Sequence, residues 1–352
     1  MSPEPLLQIR LGPLAREHIA RNGLRAEDLA GITAAAGGPK WFVLKALDHW
    51  LFDEFLASRH SPLPLLGASI GAWRMAAGIG GGGRAIDQLA ELYSKQSYAP
   101  GTDPQAVTES AGQLLSQCLD SKARQRILHH PSLRLQVLTV RSTALTQNRL
   151  ATVGFGLSAV AQAIRPQWLQ WGFRRHVFHH PDSHSAWLQR KGWDTQCSQL
   201  GQDNLLPALL ASACIPSVMA GVFNPPDAQP GIYRDGGVSD YHIPLNTRNL
   251  DGPVLLPHFS EQLKPGWFDK FLPWRRFGAN ETANLIVLNP SPRFVQRLPG
   301  QRIPDRHDFL RLPDQQRRRQ WQIVQQESTA LADELRQWLV DGCPLDQTLA
   351  LP

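Results

Sequence analysis

Cysteine is scarce in this chain of 352 residues, and no two cysteines form a CxxC pair. Wide spacing of this kind argues against a disulfide framework and against a cysteine-rich zinc site. It is typical of proteins in a reducing compartment, so we expect a cytoplasmic protein that uses no metal and no other cofactor. The cysteines are Cys118, Cys197, Cys214 and Cys343.

Long hydrophobic runs are missing as well. No apolar stretch reaches the ~18 residues that a membrane-spanning helix needs. The first residues, MSPEPLLQIRLGPLAREHIA, lack the charged head and apolar stretch of a secretory signal. We therefore expect neither a membrane span nor a secretory leader.

The chain also lacks a strong excess of one charge, because 36 Lys and Arg residues stand against 30 Asp and Glu residues. The net charge of +6 fits an anionic lipid surface, a nucleic acid or a mildly basic solvated surface. The arginine-rich stretch DQQRRRQWQ near the C-terminus is interpreted as one solvated helical face, with no nucleic-acid-binding motif beside it. No nucleic-acid partner is expected, and peripheral contact with an anionic membrane stays open.

Short apolar runs alternate with segments of helical spacing. Strands are predicted at 32–36, 62–69 and 133–141, near RHVFHH, and in IYRDGG, VLLPHF and NLIVLN. Helices are predicted at 12–23, in KWFVLKALDHWLFDEFL, at 70–77, in LLPALLASACIPSV and across 308–340. The glycine run GIGGGG at 78–83 lacks the Lys-Ser/Thr of a phosphate-binding loop, so we interpret it as the end of the 70–77 helix. The alternation predicts an α/β layered fold.

One short motif indicates chemistry. The stretch LLGASIGAW contains a GxSxG sequence, in which Ser69 stands between Gly67 and Gly71 directly after a predicted strand. A strand followed at once by a helix makes a sharp turn, and a serine in that turn exposes its hydroxyl group. Ser69 is therefore the candidate nucleophile.

Two further loops contain what such a serine needs. Gly37 and Gly38 follow the first predicted strand and precede a helix, where backbone N–H groups bind anions, although the pair also fits a simple tight turn. Asp235 stands before Gly236 and Gly237, so its carboxylate can reach a cleft and take a proton. Aspartate is also common in turns because it bonds to its own backbone.

The motifs GGPK, GASIG and DGG, in that order, resemble the patatin-like phospholipases, which use a Ser-Asp dyad. The segment ASACIPSV and Pro244 match further features of that family, and the resemblance covers residues 32–246. It implies a three-layer α/β/α fold with a mostly parallel central sheet and helices on both faces. It divides the chain into a helical lead-in (1–30), a patatin-like catalytic domain (31–250) and a C-terminal extension (251–352) that completes the sheet and ends in a polar helix.

The resemblance also implies roles for individual residues. Ser69 would be the nucleophile and Asp235 the base, while Gly37, Gly38 and Lys40 would provide the oxyanion hole. The sequence departs from the family's Gly-Gly-Gly-x-Arg/Lys-Gly at two positions, where Ala36 and Trp41 replace glycines.

The implied function is hydrolysis of acyl esters of phospholipids or lysophospholipids by this dyad. An α/β-hydrolase with a Ser-Asp-His triad is the nearest alternative, with His258 or His242 as the base. A non-catalytic lipid-binding protein on the same frame is a second alternative.

Other features of the sequence bear on metals and membranes. The cluster from His179 to His184 matches no metal-binding spacing, so no metal is expected there. The stretches PQWLQWGFRR and KPGWFDKFLPWRRF combine aromatic rings with cations, which suits a membrane interface. The same rings can equally pack in a core, and both interpretations stay open.

Overall fold

Short apolar segments form the strands, and amphipathic or apolar helices separate most of them. The computed structural model describes residues 4–99, 101–147, 151–183 and 187–351. The strands are β1 (Leu7–Leu11), β2 (Gly31–Ala34), β3 (Leu63–Ala68), β4 (Leu133–Ser142), β5 (Phe173–His179), β6 (Thr195–Gln199), β7 (Val222–Phe223), β8 (Ile232–Asp235), β9 (Val254–Pro257), β10 (Leu285–Pro290) and β11 (Leu349–Ala350).

The helices include every helical segment that the sequence predicts. They are α1 (Pro13–Asn22), α2 (Lys45–His49), α3 (Ile70–Lys95), α4 (Pro104–Cys118), α5 (Ser121–Leu128), α6 (Ala144–Gln147), α7 (Ala151–Ile164), α8 (Leu205–Ala213), α9 (Ala279–Thr282), α10 (Pro292–Arg297), α11 (Asp308–Arg311), α12 (Asp314–Glu327) and α13 (Thr329–Val340). None of the helices described is both long and apolar enough to span a lipid bilayer.

The strands lie in one mostly parallel sheet with the order β11-β1-β10-β9-β2-β3-β4-β5-β6, and β8 pairs with both β4 and β7. Strands β2, β9 and β10 are buried along their whole length. A strand can be buried on both faces only where both faces are covered, which is the usual situation of parallel sheets. The predicted α/β/α arrangement, with helices flanking a mostly parallel sheet, is confirmed.

The N-terminal segment contributes a strand as well as the predicted helix. Strand β1 shows alternating burial and pairs with β10 antiparallel and with β11 parallel. Its sequence, LQIRL, alternates apolar and polar residues, which is the period of a half-exposed strand. Sequence analysis predicted only the helix in this region, because five alternating residues are a weak signal without their partner strand.

The glycine run interrupts the helix that follows Ser69, as predicted, but a second helical segment begins directly after it. Helix α3 continues to Lys95, with a kink where Gly81 and Gly82 leave helical geometry and Gly82 has φ 62°. The helix starts again because the carboxylate of Asp53 accepts a hydrogen bond from the N–H group of Gly83 at 2.8 Å. A side chain from another element thus caps the second half, which the local sequence cannot reveal.

The C-terminal helices support the glycine turn that follows β2. Helix α12 packs against the 3₁₀ turn Gly38–Leu44, where Trp321 and Phe42 have ring centroids 5.1 Å apart. Arg317, in the arginine-rich stretch, is fully buried and lies over the rings of Phe309 and Trp321. The interpretation of this stretch as a solvated face holds for Gln315, Gln316, Arg318 and Arg319, which are exposed, but is wrong for Arg317 and Trp321.

A buried ion pair fixes the start of helix α3. The guanidinium group of Arg74 donates to both carboxylate oxygens of Asp48, at 2.7 and 2.6 Å, and both side chains are almost fully buried. Asp48 belongs to α2, so the pair joins the helix after the glycine turn to the helix that begins next to Ser69. Two parallel hydrogen bonds give this pair a defined geometry.

We predict that Asp48→Ala lowers the free energy of unfolding by ~3–5 kcal/mol, because Arg74 would be left as an unpaired buried charge. Asp87→Ala is the matched control. Asp87 pairs with Lys45 but is about half exposed, so its loss should cost no more than ~1 kcal/mol. Urea unfolding followed by circular dichroism measures both, and equal losses would contradict the anchoring role of the buried pair.

Candidate active site

Ser69 occupies a strained turn between β3 and α3. Its backbone has φ 56° and ψ −132°, a conformation that residues other than glycine rarely adopt. Neighbouring backbone approaches closely on both sides. A Cβ atom on Gly71 would lie 2.0 Å from the carbonyl oxygen of Ala34, and one on Gly67 would lie 2.5 Å from the backbone of Ala72. The two glycines of the motif therefore make this turn sterically possible.

The register of the sheet brings Asp235 to this turn. Strand β3 runs parallel along one edge of β4 as far as Ala68, which pairs with Leu138. The next residue of β4, Thr139, pairs with Asp235 at the end of β8, which runs antiparallel. Strands β3 and β8 thus meet end to end beside β4. Ser69 directly follows the last residue of β3, and Asp235 is the last residue of β8.

The two predicted catalytic side chains are in contact. The hydroxyl group of Ser69 donates to Oδ2 of Asp235 at 2.8 Å, and the N–H group of Gly237 donates to Oδ1 at 2.7 Å. Burial raises the pKa of Asp235 to about 6, although these two hydrogen bonds oppose the shift. At neutral pH the carboxylate is therefore ionised and can accept the serine proton.

The glycines after Asp235 let the chain pass against its neighbours. A Cβ atom on Gly236 would lie 2.3 Å from the carbonyl oxygen of Leu138, and one on Gly237 would lie 2.7 Å from Cβ of Ala36. Larger residues would therefore push the carboxylate away from the serine.

Ser212 contacts the nucleophile turn and Cys214 contacts Asp235, and the role of neither residue was found in the sequence. The hydroxyl oxygen of Ser212 accepts from the N–H group of Ser69 at 2.8 Å and its hydroxyl group donates to the carbonyl oxygen of Leu138 at 2.6 Å. Two residues later, the carbonyl oxygen of Cys214 accepts from the N–H group of Asp235 at 3.0 Å. A single buried serine in the apolar helix α8 was the available signal, within the segment ASACIPSV.

Gly37 and Gly38 lie beside the nucleophile turn. Ala34 pairs with Gly67, so the loops after β2 and β3 leave adjacent strands at the same edge of the sheet. Both glycines line the cavity that contains Ser69. Within the described part of the chain, neither N–H group has a hydrogen-bond acceptor. The same holds for Ile70 at the first position of α3, where helix geometry leaves N–H groups free.

Lys40 differs from its predicted role. Its N–H group donates to the carbonyl oxygen of Gly37 at 3.4 Å, so the turn itself uses this donor and it is not available for an oxyanion. The ammonium group lies instead 3.4 Å from the hydroxyl group of Tyr241 and 5.0 Å from the ring centroid of Phe259. Lys40 lines the cavity through its side chain. The departure at Trp41 is also explained, because this residue is fully buried in the aromatic core beside Phe42.

A cavity of about 900 Å³ opens above the dyad. One part is lined by apolar side chains from α3, α4 and the loop after α8, namely Trp73, Val107, Ala111, Leu114, Ile215 and Met219. Another part is cationic and is lined by Lys40, Lys270 and Arg306. The nucleophile is therefore next to an apolar volume and to positive charge.

The two candidate histidines do not join the dyad. His242 and His258 are buried with ring centroids 4.1 Å apart, and their Nδ1 atoms accept from the N–H groups of Lys264 and Ser260. Burial lowers the pKa of His258 to about 3. Among the residues described, no histidine is within hydrogen-bond distance of Ser69 or Asp235. The structure thus does not assemble the Ser-Asp-His arrangement.

The histidine cluster near 179–184 is only partly described. His180 is buried and bonds to the carbonyl oxygen of Leu128, while His184 lies outside the described residues. Over the ranges that the structure describes, no group of three or more His, Cys, Asp or Glu side chains is placed to hold a metal ion. The absence of a metal stays an expectation.

Comparisons with protein-family models, curated proteins and solved structures find no match to this chain.

We predict that a fluorophosphonate probe labels Ser69 at a rate that rises with pH and is half-maximal near pH 6. Below that value Asp235, whose pKa is about 6, is protonated and cannot accept the serine proton. Asp235→Asn should slow labelling by at least ~100-fold, which is the contribution of a general base. A pH-independent labelling rate would contradict the role of Asp235.

The same variant should be more stable than the natural protein at neutral pH. The pKa of Asp235 is higher in the folded than in the unfolded chain, so its ionisation opposes folding above pH 6 by up to ~3 kcal/mol. The gain in Asp235→Asn should disappear as the pH falls through about 6 towards the ordinary aspartate value. Asp251→Asn, at an exposed position, is the control for loss of a surface carboxylate and should change the free energy of unfolding by no more than ~0.5 kcal/mol.

Proposed function

We propose that the protein is a serine acyl hydrolase of the patatin-like type, which cleaves acyl esters of phospholipids or lysophospholipids. The observation that carries the proposal is the 2.8 Å hydrogen bond from Ser69 to a buried carboxylate at the base of a partly apolar cavity. The order of the motifs supports it, since the Gly37-Gly38 turn, Ser69 and Asp235 belong to neighbouring strand ends.

In the first half of the proposed reaction, Oγ of Ser69 attacks the ester carbonyl carbon while Asp235 accepts the hydroxyl proton. The carbonyl oxygen becomes negatively charged, and N–H groups of Gly37, Gly38 and Ile70 are the candidate donors to it. Each such donor typically contributes ~3–4 kcal/mol to the stability of the transition state. Asp235 then gives the proton to the departing alcohol, which leaves the acyl group on Ser69.

In the second half, water attacks the acyl carbon and Asp235 accepts its proton. The proton passes to Ser69 as the C–O bond to the enzyme breaks, and a fatty acid departs. The carboxylate returns to its starting state, so no histidine is needed in either half. The apolar part of the cavity suits a hydrocarbon chain, because its burial there removes apolar surface from water.

We predict that the protein hydrolyses lysophospholipids and nitrophenyl acyl esters, and that Ser69→Ala abolishes this activity and the fluorophosphonate labelling together. His242→Asn should keep activity within about tenfold of the natural protein, below the contribution of a general base. Fatty-acid release measures the hydrolysis, and mass spectrometry of the labelled peptide measures the fluorophosphonate labelling.

The outcomes separate the alternatives. A folded His242 or His258 variant without activity would indicate a triad. Binding of lysophospholipid with neither hydrolysis nor labelling would favour a non-catalytic lipid-binding protein.

The proposed substrate is a membrane component, and the protein exposes an apolar face that suits peripheral contact. Helix α7 presents side chains at helical spacing that are 55–67% exposed, namely Val153, Leu157, Val160 and Ile164. Phe271 and Trp274, in one of the two aromatic-cationic stretches, are also exposed, and Phe271 lines the cavity. Arg275 joins the two by donating to carbonyl oxygens at the end of α7. We infer that this face meets an anionic membrane surface from the cytoplasmic side.

We predict that the double variant Leu157→Gln, Val160→Gln weakens binding to phosphatidylglycerol vesicles by at least ~10-fold, since less apolar surface is removed from water. Val340→Gln, at an 80% exposed valine on α13, is the matched control and should bind as the natural protein does. Vesicle co-sedimentation at rising salt concentrations measures both. If the two variants bind equally, α7 is not the contact face.

A further inference from the structure

One cavity brings together three cations, and the carboxylates of Asp235 and Asp305, which also line it, offset their charge only in part. Lys40, Lys270 and Arg306 all line the cavity. Throughout the described ranges, none of the three forms an ion pair with a carboxylate. Asp305 lies in the same cavity, but its carboxylate accepts from the backbone N–H group of His307 at 2.7 Å and lies 2.9 Å from its ring nitrogen.

Aromatic rings hold two of these cations without neutralising them. The ammonium group of Lys270 lies 4.3 Å from the ring centroid of Trp267 and 5.1 Å from that of Tyr241. The guanidinium group of Arg306 lies 5.3 Å from the Trp267 ring. Ring faces attract cations and fix their positions, but they supply no full negative charge. The two cations are therefore pre-positioned around one tryptophan.

The cations also destabilise one another. Burial, followed by the charges of Lys40 and Arg306, lowers the pKa of Lys270 to about 8. Burial lowers the pKa of Lys40 as well. Clusters of this kind are unfavourable in an empty protein and become favourable when an anion enters. The charges of Asp235 and Asp305 oppose the shift at Lys270 only in part, so an anion that enters the cavity would stabilise the cluster further.

The cluster is close to the reacting centre. Lys40 belongs to the same 3₁₀ turn as Gly38, and the charges of Lys270 and Arg306 act on the carboxylate of Asp235. Lys40 also contacts Tyr241, whose carbonyl oxygen accepts from the N–H group of Ala36, directly before the glycine pair. An anionic group a few bonds from an ester carbonyl can therefore reach the cations while the carbonyl carbon lies at Ser69.

We propose that Lys40, Lys270 and Arg306 form an anion subsite that binds the phosphate of the substrate, so that anionic acyl esters are preferred to neutral or zwitterionic ones. The ester part of this proposal rests on the proposed hydrolase function, whereas binding of the phosphate does not. A phosphate monoester or diester without a cationic head group satisfies the subsite. A trimethylammonium head group would bring a fourth positive charge towards three cations that already repel one another.

Binding is tested first, in the Ser69→Ala protein, which cannot turn over an ester. Isothermal titration compares decyl phosphate with decanol and with decyltrimethylammonium, which share one chain length. We expect decyl phosphate to bind at least ~10-fold more tightly than either, because only it supplies a further negative charge. Equal affinities for the three ligands would overturn the proposal.

The residues are tested by substitutions that remove charge but keep an unbranched chain. Lys270→Met and Arg306→Met should each weaken decyl phosphate binding by at least ~10-fold, while Lys270→Arg should retain most of it. Arg276→Met is the matched control, since Arg276 is exposed in the same stretch but does not line the cavity. If Lys270→Met does not fold, Arg306→Met still tests the subsite, because Arg306 is exposed and its replacement should not disturb the fold. Unchanged affinity in Arg306→Met and Lys270→Met would overturn the subsite.

Hydrolysis separates this proposal from the one on which it rests. In the natural protein, kcat/KM should favour lysophosphatidic acid over the monoacylglycerol with the same chain, and Lys270→Met should reduce that ratio by at least ~10-fold. Lysine-dependent phosphate binding without any ester hydrolysis would support the anion subsite and remove the hydrolase function. Hydrolysis of both esters at the same kcat/KM would support the hydrolase function and overturn the anion subsite.

Discussion

The hydrogen bond between Ser69 and Asp235 depends on the way two strands share one edge of β4. Strand β3 occupies that edge as far as Leu138, and β8 occupies it from Thr139 onward in the opposite direction. The nucleophile turn and the carboxylate therefore meet at a point that the backbone hydrogen bonds of the sheet determine. A slip of one residue in the pairing of β8 would turn Asp235 to the other face of the sheet and separate the two side chains.

Around this point the molecule concentrates features that oppose folding. Ser69 has a positive φ, Asp235 is a buried carboxylate, and the cavity collects three cations with only two carboxylates. Such features persist only where the surrounding structure holds them in place. Here that support comes from the buried Arg74–Asp48 pair, from Ser212, and from the aromatic contacts between α12 and the glycine turn.

The parts of the site that lie within short motifs were predictable from the sequence. Ser69 and Asp235 could be found because both stand close to glycines. A Cβ atom at those glycines would clash with neighbouring atoms, so the sequence around each catalytic residue is restricted. The layered α/β fold was predictable because buried strands and helices have different periods. Ser212, Lys270 and Arg306 have no such local restriction, and only the tertiary structure brings them to the site. The same reason explains what the sequence did not reveal: Asp53 caps the helical segment after the kink, and Phe309 covers Arg317, both from distant parts of the chain.

The order of the strands has a consequence for how the chain can acquire this site. Strand β2, which leads into the glycine turn, has β9 as its second neighbour, and β9 lies more than two hundred residues later. During synthesis, one edge of β2 stays without a partner until β9 has emerged from the ribosome. Pairings of such high sequence separation form slowly and leave unpaired edges open to wrong partners. The segment 32–246, although it contains every motif of the site, thus leaves one edge of β2 without its partner strand.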